Sequence, residues 1–198
     1  TYRALWLPRI NAALEWIALA VAEGREHGRE PVASEVSGAT ELAGVKIKGR
    51  VDRLDRLADG TLAIVDYKTG KGASHAEVLG GFKLQLGLLG LLADKGAFKD
   101  LHGKSGQFEY WSLRKEKGEF GNVVSAAKSG RNKSTILAED FVAHCVKFAT
   151  QAIDAYITGD EAFLAKAHPD FAKYADYDQL MRAAEWDGRM PLDAGDTL

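Results

Sequence analysis

Four polar side chains, Asp52, Asp66, Lys68 and Gln85, fall within residues 45–85, VKIKGRVDRLDRLADGTLAIVDYKTGKGASHAEVLGGFKLQ. Over 62–68, Leu62, Ile64, Asp66 and Lys68 alternate with Ala63, Val65 and Tyr67. A strand's period of two therefore puts Asp66 and Lys68 on one face. A carboxylate and an ammonium side by side at the end of an apolar strand suit a centre in which one group holds a metal ion. The other then handles a water or a developing negative charge. Gln85 lies in an apolar helical stripe, one turn before Leu89, and an unpaired buried amide costs about 1–3 kcal/mol. Its partner is either a strand carbonyl, which is purely structural, or the reactive centre over the sheet end.

These residues need a scaffold. Val45, Ile47, Gly49 and Val51 alternate with Lys46, Lys48, Arg50 and Asp52, which predicts a strand with one buried face and Asp52 on the polar face. Ala58-Asp59-Gly60 leads into a second strand over 61–69, and Asp-Gly between two strand patterns signals a hairpin. Antiparallel pairing brings the end of the first strand near the start of the second, so loop curvature or a bulge is expected to help carry Asp52 toward Asp66. The segment 69–74, TGKGAS, is glycine-rich and basic but lacks the spacing of a phosphate-cradling P-loop, which excludes a nucleoside triphosphate site there. Lys71 either touches a backbone phosphate or sits in a solvated turn, and His75 has the same two readings. A helix is expected over 76–95 with Phe82, Leu86, Leu89, Leu92 and Ala93 as its apolar stripe.

Upstream, Pro8 and the spacing of Ile10, Ala13, Leu14, Ile17, Ala18 and Val21 predict a helix over 7–26 that covers one face of a sheet. A short extended run over 32–36 carries Glu35, either a carboxylate entering the centre or a solvated edge-strand residue. Downstream, GQFEYWSL at 106–113 reads as a strand alongside the hairpin, 114–134 as a mobile basic loop, and 136–157 as a long amphipathic helix. A helical piece is expected over 177–186. Cys145 falls on the apolar stripe of the helix over 136–157, where a thiol packs as a small hydrophobe, and His144 beside it reads as a surface or boundary residue.

With 198 residues and 46% hydrophobic content, the chain can bury a sizeable core. No stretch approaches the ~18 apolar residues of a membrane span, so no membrane partner and a cytoplasmic location are expected. One cysteine forms no internal disulfide and anchors no metal cluster alone. The net charge of −2 argues against a protein that grips nucleic acid over its whole surface. The charge is uneven, however: eight basic residues oppose five acidic ones over 45–83, whereas five oppose twelve from 137 onward. A polyanion should meet the first region. The chain begins at Thr1 with a helical pattern already under way, and is expected to be a fragment of a longer protein.

GRVDRLD at 49–55, VDYKTG at 65–70 and LQL at 84–86 together resemble the PD-(D/E)XK nuclease domain of the RecB/AddB type. That domain is found at the C-terminal end of bacterial recombinational-repair helicase-nucleases. The ending YDQLMRAAEW at 177–186 is similar to the end of AddB subunits from the alphaproteobacterial branch. The resemblance is strong over 45–93 and weak elsewhere. It implies an α/β fold with a restriction-endonuclease-like mixed central sheet flanked by helices. Residues 1–135 would form the nuclease core and 136–198 a helical C-terminal part packed on the same domain.

The activity implied is metal-dependent exonucleolytic hydrolysis of DNA in double-strand break repair, alongside a helicase-nuclease partner subunit of the AddA type. Asp52 and Asp66, with the backbone carbonyl of Tyr67, match the ligands of Mg²⁺ or Mn²⁺, and Lys68 matches the lysine that orients or deprotonates the attacking water. Gln85 matches the helix glutamine of the pattern. Glu35, Arg50, Lys71 and His75 are candidate site or DNA contacts.

The chain departs from the family in three places. Leu89 stands where a tyrosine often follows the glutamine. No histidine precedes His27, although family members usually carry an upstream metal-binding histidine, which implies a chain that begins after it and a weakened metal site. The four cysteines that hold an iron–sulfur cluster in some AddB relatives are absent, so no such cluster is expected. Two other readings stay open: a nuclease-like module that binds DNA or a helicase without cutting, and an unrelated α/β domain whose two aspartates lie far apart.

Overall fold

The strand predicted over 62–68 becomes the centre of a five-stranded mixed sheet, and every residue from Leu62 to Asp66 is buried. The computed structural model describes residues 2–70, 73–99, 101–116, 118–127 and 136–163. Helix α1 (Tyr2–Glu26) is followed by strands β1 (Glu30–Leu42), β2 (Val45–Arg56) and β3 (Leu62–Lys68). Helices α2 (His75–Leu79) and α3 (Gln85–Asp94) come next, then β4 (Ser105–Glu116), β5 (Glu119–Ser125) and α4 (Ala138–Tyr156). The strands lie in sequence order. Among the described residues only the β3–β4 pair is parallel, and the others are antiparallel. A parallel pair needs a crossover, and α2 and α3 supply it. This is the restriction-endonuclease-like α/β architecture, with α4 as the last described helix.

The two faces of the sheet are distinct. Leu54, Ile64 and Phe108 join Leu86, Leu89 and Leu92 of α3 and Phe141 and Cys145 of α4 in the core. Phe108 and Phe141 lie with ring centroids 4.4 Å apart. A Cβ on Gly87 would collide with the Cys145 side chain, so the α3–α4 contact depends on a glycine there. On the other face, Trp16 of α1 meets Trp111 edge-on at 5.4 Å.

Several expectations need correction. The single helix over 76–95 is two: α2 ends at Leu79, and α3 starts at Gln85. Gly81 between them sits at φ +79°, and a Cβ there would run into Phe148. Helical periodicity does not detect a backbone reversal of this kind, which suits glycine. Phe82 consequently leaves the stripe and is 41% exposed.

Of the loop expected over 114–134, the described residues are largely a hairpin, because β4 continues to Glu116 and β5 returns along it with Tyr110 opposite Val124, while 117 and 128–134 lie outside the described residues. The short run at 32–36 is part of a thirteen-residue strand paired to β2 along its length. Lys71 and the piece at 177–186 lie outside the described residues. Among the described residues, no helix is long and apolar enough to cross a membrane.

Candidate active site

At the end of β3, Asp66 is 3% exposed, and its neighbour on the same face, Lys68, puts its Nζ 2.6 Å from Asp66 Oδ2. Gln85, the first residue of α3, closes the group: its Nε2 donates to Asp66 Oδ1 at 2.7 Å, and its Oε1 accepts from Lys68 Nζ at 3.3 Å. The break before α3 therefore aims the amide at the sheet end, and both of its ends are engaged. The partners of Gln85 are these two side chains.

Burial pushes the Asp66 carboxyl above its ordinary range; Lys68 and Gln85 pull it down, while the charge of Asp52 pushes it up further. Tyr110, opposite Asp66 on β4, lies under the Lys68 ammonium with its ring centroid 5.8 Å away. Burial, and then the charge of Asp66, raise its phenol well beyond the usual range, so it stays neutral.

Asp52 arrives by a route the hairpin explains. Arg53 pairs with Val65, so continuation of the register sets Asp52 across from Asp66 without help from the loop. The ladder stops there, and Asp52 Oδ2 accepts a hydrogen bond from the Tyr67 backbone N–H at 2.9 Å in place of a main-chain partner. The side-chain alternation of β2 also slips at this point. Gly49 faces Leu89 and Leu92 of α3, and Leu54, partner of Ile64, faces the same core, although the two are an odd number of residues apart. The two aspartates thus share one end of the sheet, against the reading that sets them far apart.

The donor set suits a hard divalent cation. Carboxylate oxygens are the ligands Mg²⁺ and Mn²⁺ prefer, and the buried Asp66 Oδ2, although close to Lys68, makes no aligned hydrogen bond. Among the described residues, no group of three His, Cys, Asp or Glu side chains is gathered for a metal. Two carboxylates fit an ion that keeps several of its waters, as Mg²⁺ commonly does.

The other candidates are placed differently. Glu35 and Arg50 form an ion pair with each other at 3.2 Å, and their side chains are 60% and 64% exposed. His75 opens α2 behind Ser74, which caps that helix through a reciprocal bond with Glu77. Gln85 also lines a shallow groove with Ile47–Arg50, Leu88, Leu89 and Leu92. His27 Nδ1 donates to the Glu23 carbonyl near the end of α1, and the residue belongs to a cleft on the opposite face with Glu23, Arg29, Asp59 and Trp111. Asp52, Asp66, Lys68 and Gln85 do not line that cleft.

A second polar cluster, not anticipated from the sequence, lies under the sheet on the α1 side. The fully buried Asp55 accepts from Arg29 Nε and Arg53 Nε, both at 2.6 Å, and from a terminal nitrogen of Arg53 at 2.7 Å. Arg29 also grips Glu109 through two bonds of 2.8 and 3.1 Å. Arg53 stacks 4.5 Å over Trp111. Burial works against both guanidinium charges, but the bonds to Glu109 and Asp55 for Arg29, and to Asp55 and Tyr67 for Arg53, outweigh it and raise both pKa values. The GRVDRLD motif therefore divides: Asp52 serves the sheet end, whereas Arg53 and Asp55 brace the opposite face. Two opposite charges two apart, on either side of Leu54, were the available signal.

A family model described as the PD-(D/E)XK nuclease superfamily matches residues 2–186. A search among curated proteins finds no significant match.

Proposed function

The chain belongs to the PD-(D/E)XK nuclease superfamily, and on that premise we propose that it is a metal-dependent deoxyribonuclease with Asp52, Asp66, Lys68 and Gln85 as its working residues. The observation that carries this reading is the hydrogen-bonded group of Asp66, Lys68 and Gln85 beside Asp52 at one sheet end. Asp52 and Asp66, with the Tyr67 carbonyl, would hold Mg²⁺ or Mn²⁺, and residues 1–135 would be the catalytic core with 136–198 packed on it. A bound divalent ion polarises the scissile phosphate and lowers the pKa of a coordinated water.

The chain's own residues do the rest. Gln85 fixes Asp66 in position by its amide donor and accepts a hydrogen bond from Lys68, so the ammonium is held beside the carboxylate. Lys68, 32% exposed, can turn from Asp66 toward an incoming phosphate, orient the attacking water and offset the charge that builds on the phosphoryl oxygens. Lys48 and Arg50, on the strand that leads to Asp52, are suited to hold the DNA backbone, as His75 is from the start of α2 and Lys71 by its charge alone.

At a finer level, we read the domain as an exonuclease of the RecB/AddB type. In that setting it acts in the bacterial cytoplasm on strands supplied by a helicase-nuclease partner of the AddA type during double-strand break repair. The motif run from Arg50 to Gln85 supports this reading. A second reading, a nuclease-like module that binds DNA without cutting, is favoured by one observation: the Lys68 ammonium lies against the carboxylate oxygen that a metal would need.

Mg²⁺-dependent degradation of linear and single-stranded DNA decides between them. The catalytic reading expects cleavage that Asp66→Ala abolishes and Lys68→Ala sharply reduces, and full activity in either variant refutes it. DNA binding without cleavage, unchanged by Asp52→Ala, supports the second.

A further inference from the structure

Glu35 holds a conformation that its neighbours in the strand do not. It sits in the middle of β1 at φ +54°, in the left-handed region that residues with a side chain seldom enter outside turns. The flanking pairs Ser34–Arg53 and Val36–Val51 set Glu35 directly across from Asp52, and that one pairing is missing from the ladder. Asp52 is also where the alternation of β2 slips, the β2–β3 ladder ends, and a carboxylate takes over the Tyr67 amide. On β1, Ala33 and Val36 both pack against the same core although they are an odd number of residues apart, so β1 slips at Glu35 as β2 does at Asp52.

From these coincident irregularities we infer that Glu35 is a positioning residue: its left-handed backbone twists β1 and β2 together and turns the Asp52 carboxylate toward Tyr67 and Asp66. The Glu35 side chain is not the agent. It is 60% exposed and held by Arg50, which is itself 64% exposed, and surface pairs of that kind contribute little. The strain is local, and strained backbone gathers where a functional geometry has to be held. The consequence for metal binding rests on the assignment of Asp52 as a ligand, whereas the consequence for the Tyr67 amide does not.

The test uses backbone substitutions on the whole chain. Glycine and asparagine accept the left-handed region and valine resists it. Amide hydrogen exchange at Tyr67 is the first readout and Mn²⁺ affinity by calorimetry the second. Glu35→Gly and Glu35→Asn are expected to keep Tyr67 protection and Mn²⁺ affinity within about twofold of the parent, while Glu35→Val loses about tenfold in both, in proportion to the strain that such a residue carries. Arg50→Gln, which breaks the ion pair and leaves the backbone alone, is expected to change neither.

Unchanged Tyr67 protection in Glu35→Val overturns the inference, and so does an equal loss in Glu35→Gly or Arg50→Gln. If Glu35→Val does not fold, Glu35→Ala against Glu35→Gly makes the same comparison. The expected exchange pattern, together with Mn²⁺ binding indifferent to Asp52→Ala, upholds the positioning role and removes the metal assignment.

Discussion

Asp66→Asn should make the protein more stable at neutral pH while removing its activity. The substitution keeps the shape of the side chain and the bond from Gln85 Nε2, since an amide oxygen can accept in place of Asp66 Oδ1. It removes a charge that is 3% exposed and repelled by Asp52. Against this gain stands the lost contact with Lys68. That ammonium is 32% exposed, so water can take over its solvation and the loss stays near the surface value of ~0.2–1 kcal/mol. The relief of a strained functional charge is commonly worth about 0.5–2 kcal/mol. A net gain near 1 kcal/mol raises Tm by about 2–4 °C in a protein of this size.

The sign of the pH dependence follows from the raised Asp66 pKa. Its stabilising contribution is complete below the unfolded-state value and is lost as pH rises through the folded-state value. The parent protein therefore bears the full penalty at neutral pH and none in acid, and the advantage of Asp66→Asn should shrink as pH falls. Added Mg²⁺ reverses the order, because at one hundred times Kd a ligand adds about 2.7 kcal/mol to the form that binds it. Thermal melts of both proteins at pH 8 and in mild acid, with and without Mg²⁺, alongside a DNA-degradation assay, provide the check. An Asp66→Asn protein less stable than the parent at pH 8, or a difference that does not vary with pH, would refute the reasoning.

Other substitutions separate the proposed catalytic end of the sheet from the Arg29–Asp55–Arg53 brace on its opposite face. Lys68→Ala should cut kcat for DNA degradation by about 10²–10³ with little change in Tm, in line with the loss of one preorganised charge; single-turnover kinetics measure it. Asp55→Ala leaves the buried guanidinium of Arg53 and the half-buried one of Arg29 without their shared acceptor. It should cost about 3–5 kcal/mol in urea unfolding, with Mn²⁺ affinity in the folded fraction unchanged. Gly81→Ala meets Phe148 and a positive φ together, and a loss of about 1–3 kcal/mol by the same assay is expected. The Cys145 thiol, fully buried and pushed up to about 11, should resist a thiol reagent at pH 8 until the protein is denatured.

Much of the site was legible in one dimension. The alternation from Leu62 to Lys68 put Asp66 and Lys68 on one face because strand geometry depends on neighbouring residues alone. Asp59-Gly60 marked the hairpin, and the helical spacing after Ile136 marked α4, for the same local reason. Gln85 was visible as an amide out of place in an apolar stripe. Its two partners were not, since they depend on where α3 begins, and that is governed by Gly81 packing on Phe148 far along the chain.

The remainder rested on contacts between distant segments. Phe120, Val123 and Val124 hint at a strand within a segment whose basic residues lie on either side of it. Gly121 interrupts the pattern, however, and β5 is defined only when it pairs with β4 and Trp16 closes over Gly121. Arg29, Asp55 and Glu109 look like ordinary surface charges until folding buries them against one another. Residues 52 and 66 carried their chemical identity in the sequence. Their nearness came from strand register, the end of a ladder and an exceptional backbone angle at Glu35, because side-chain periodicity is a property of one segment and register is a relation between two.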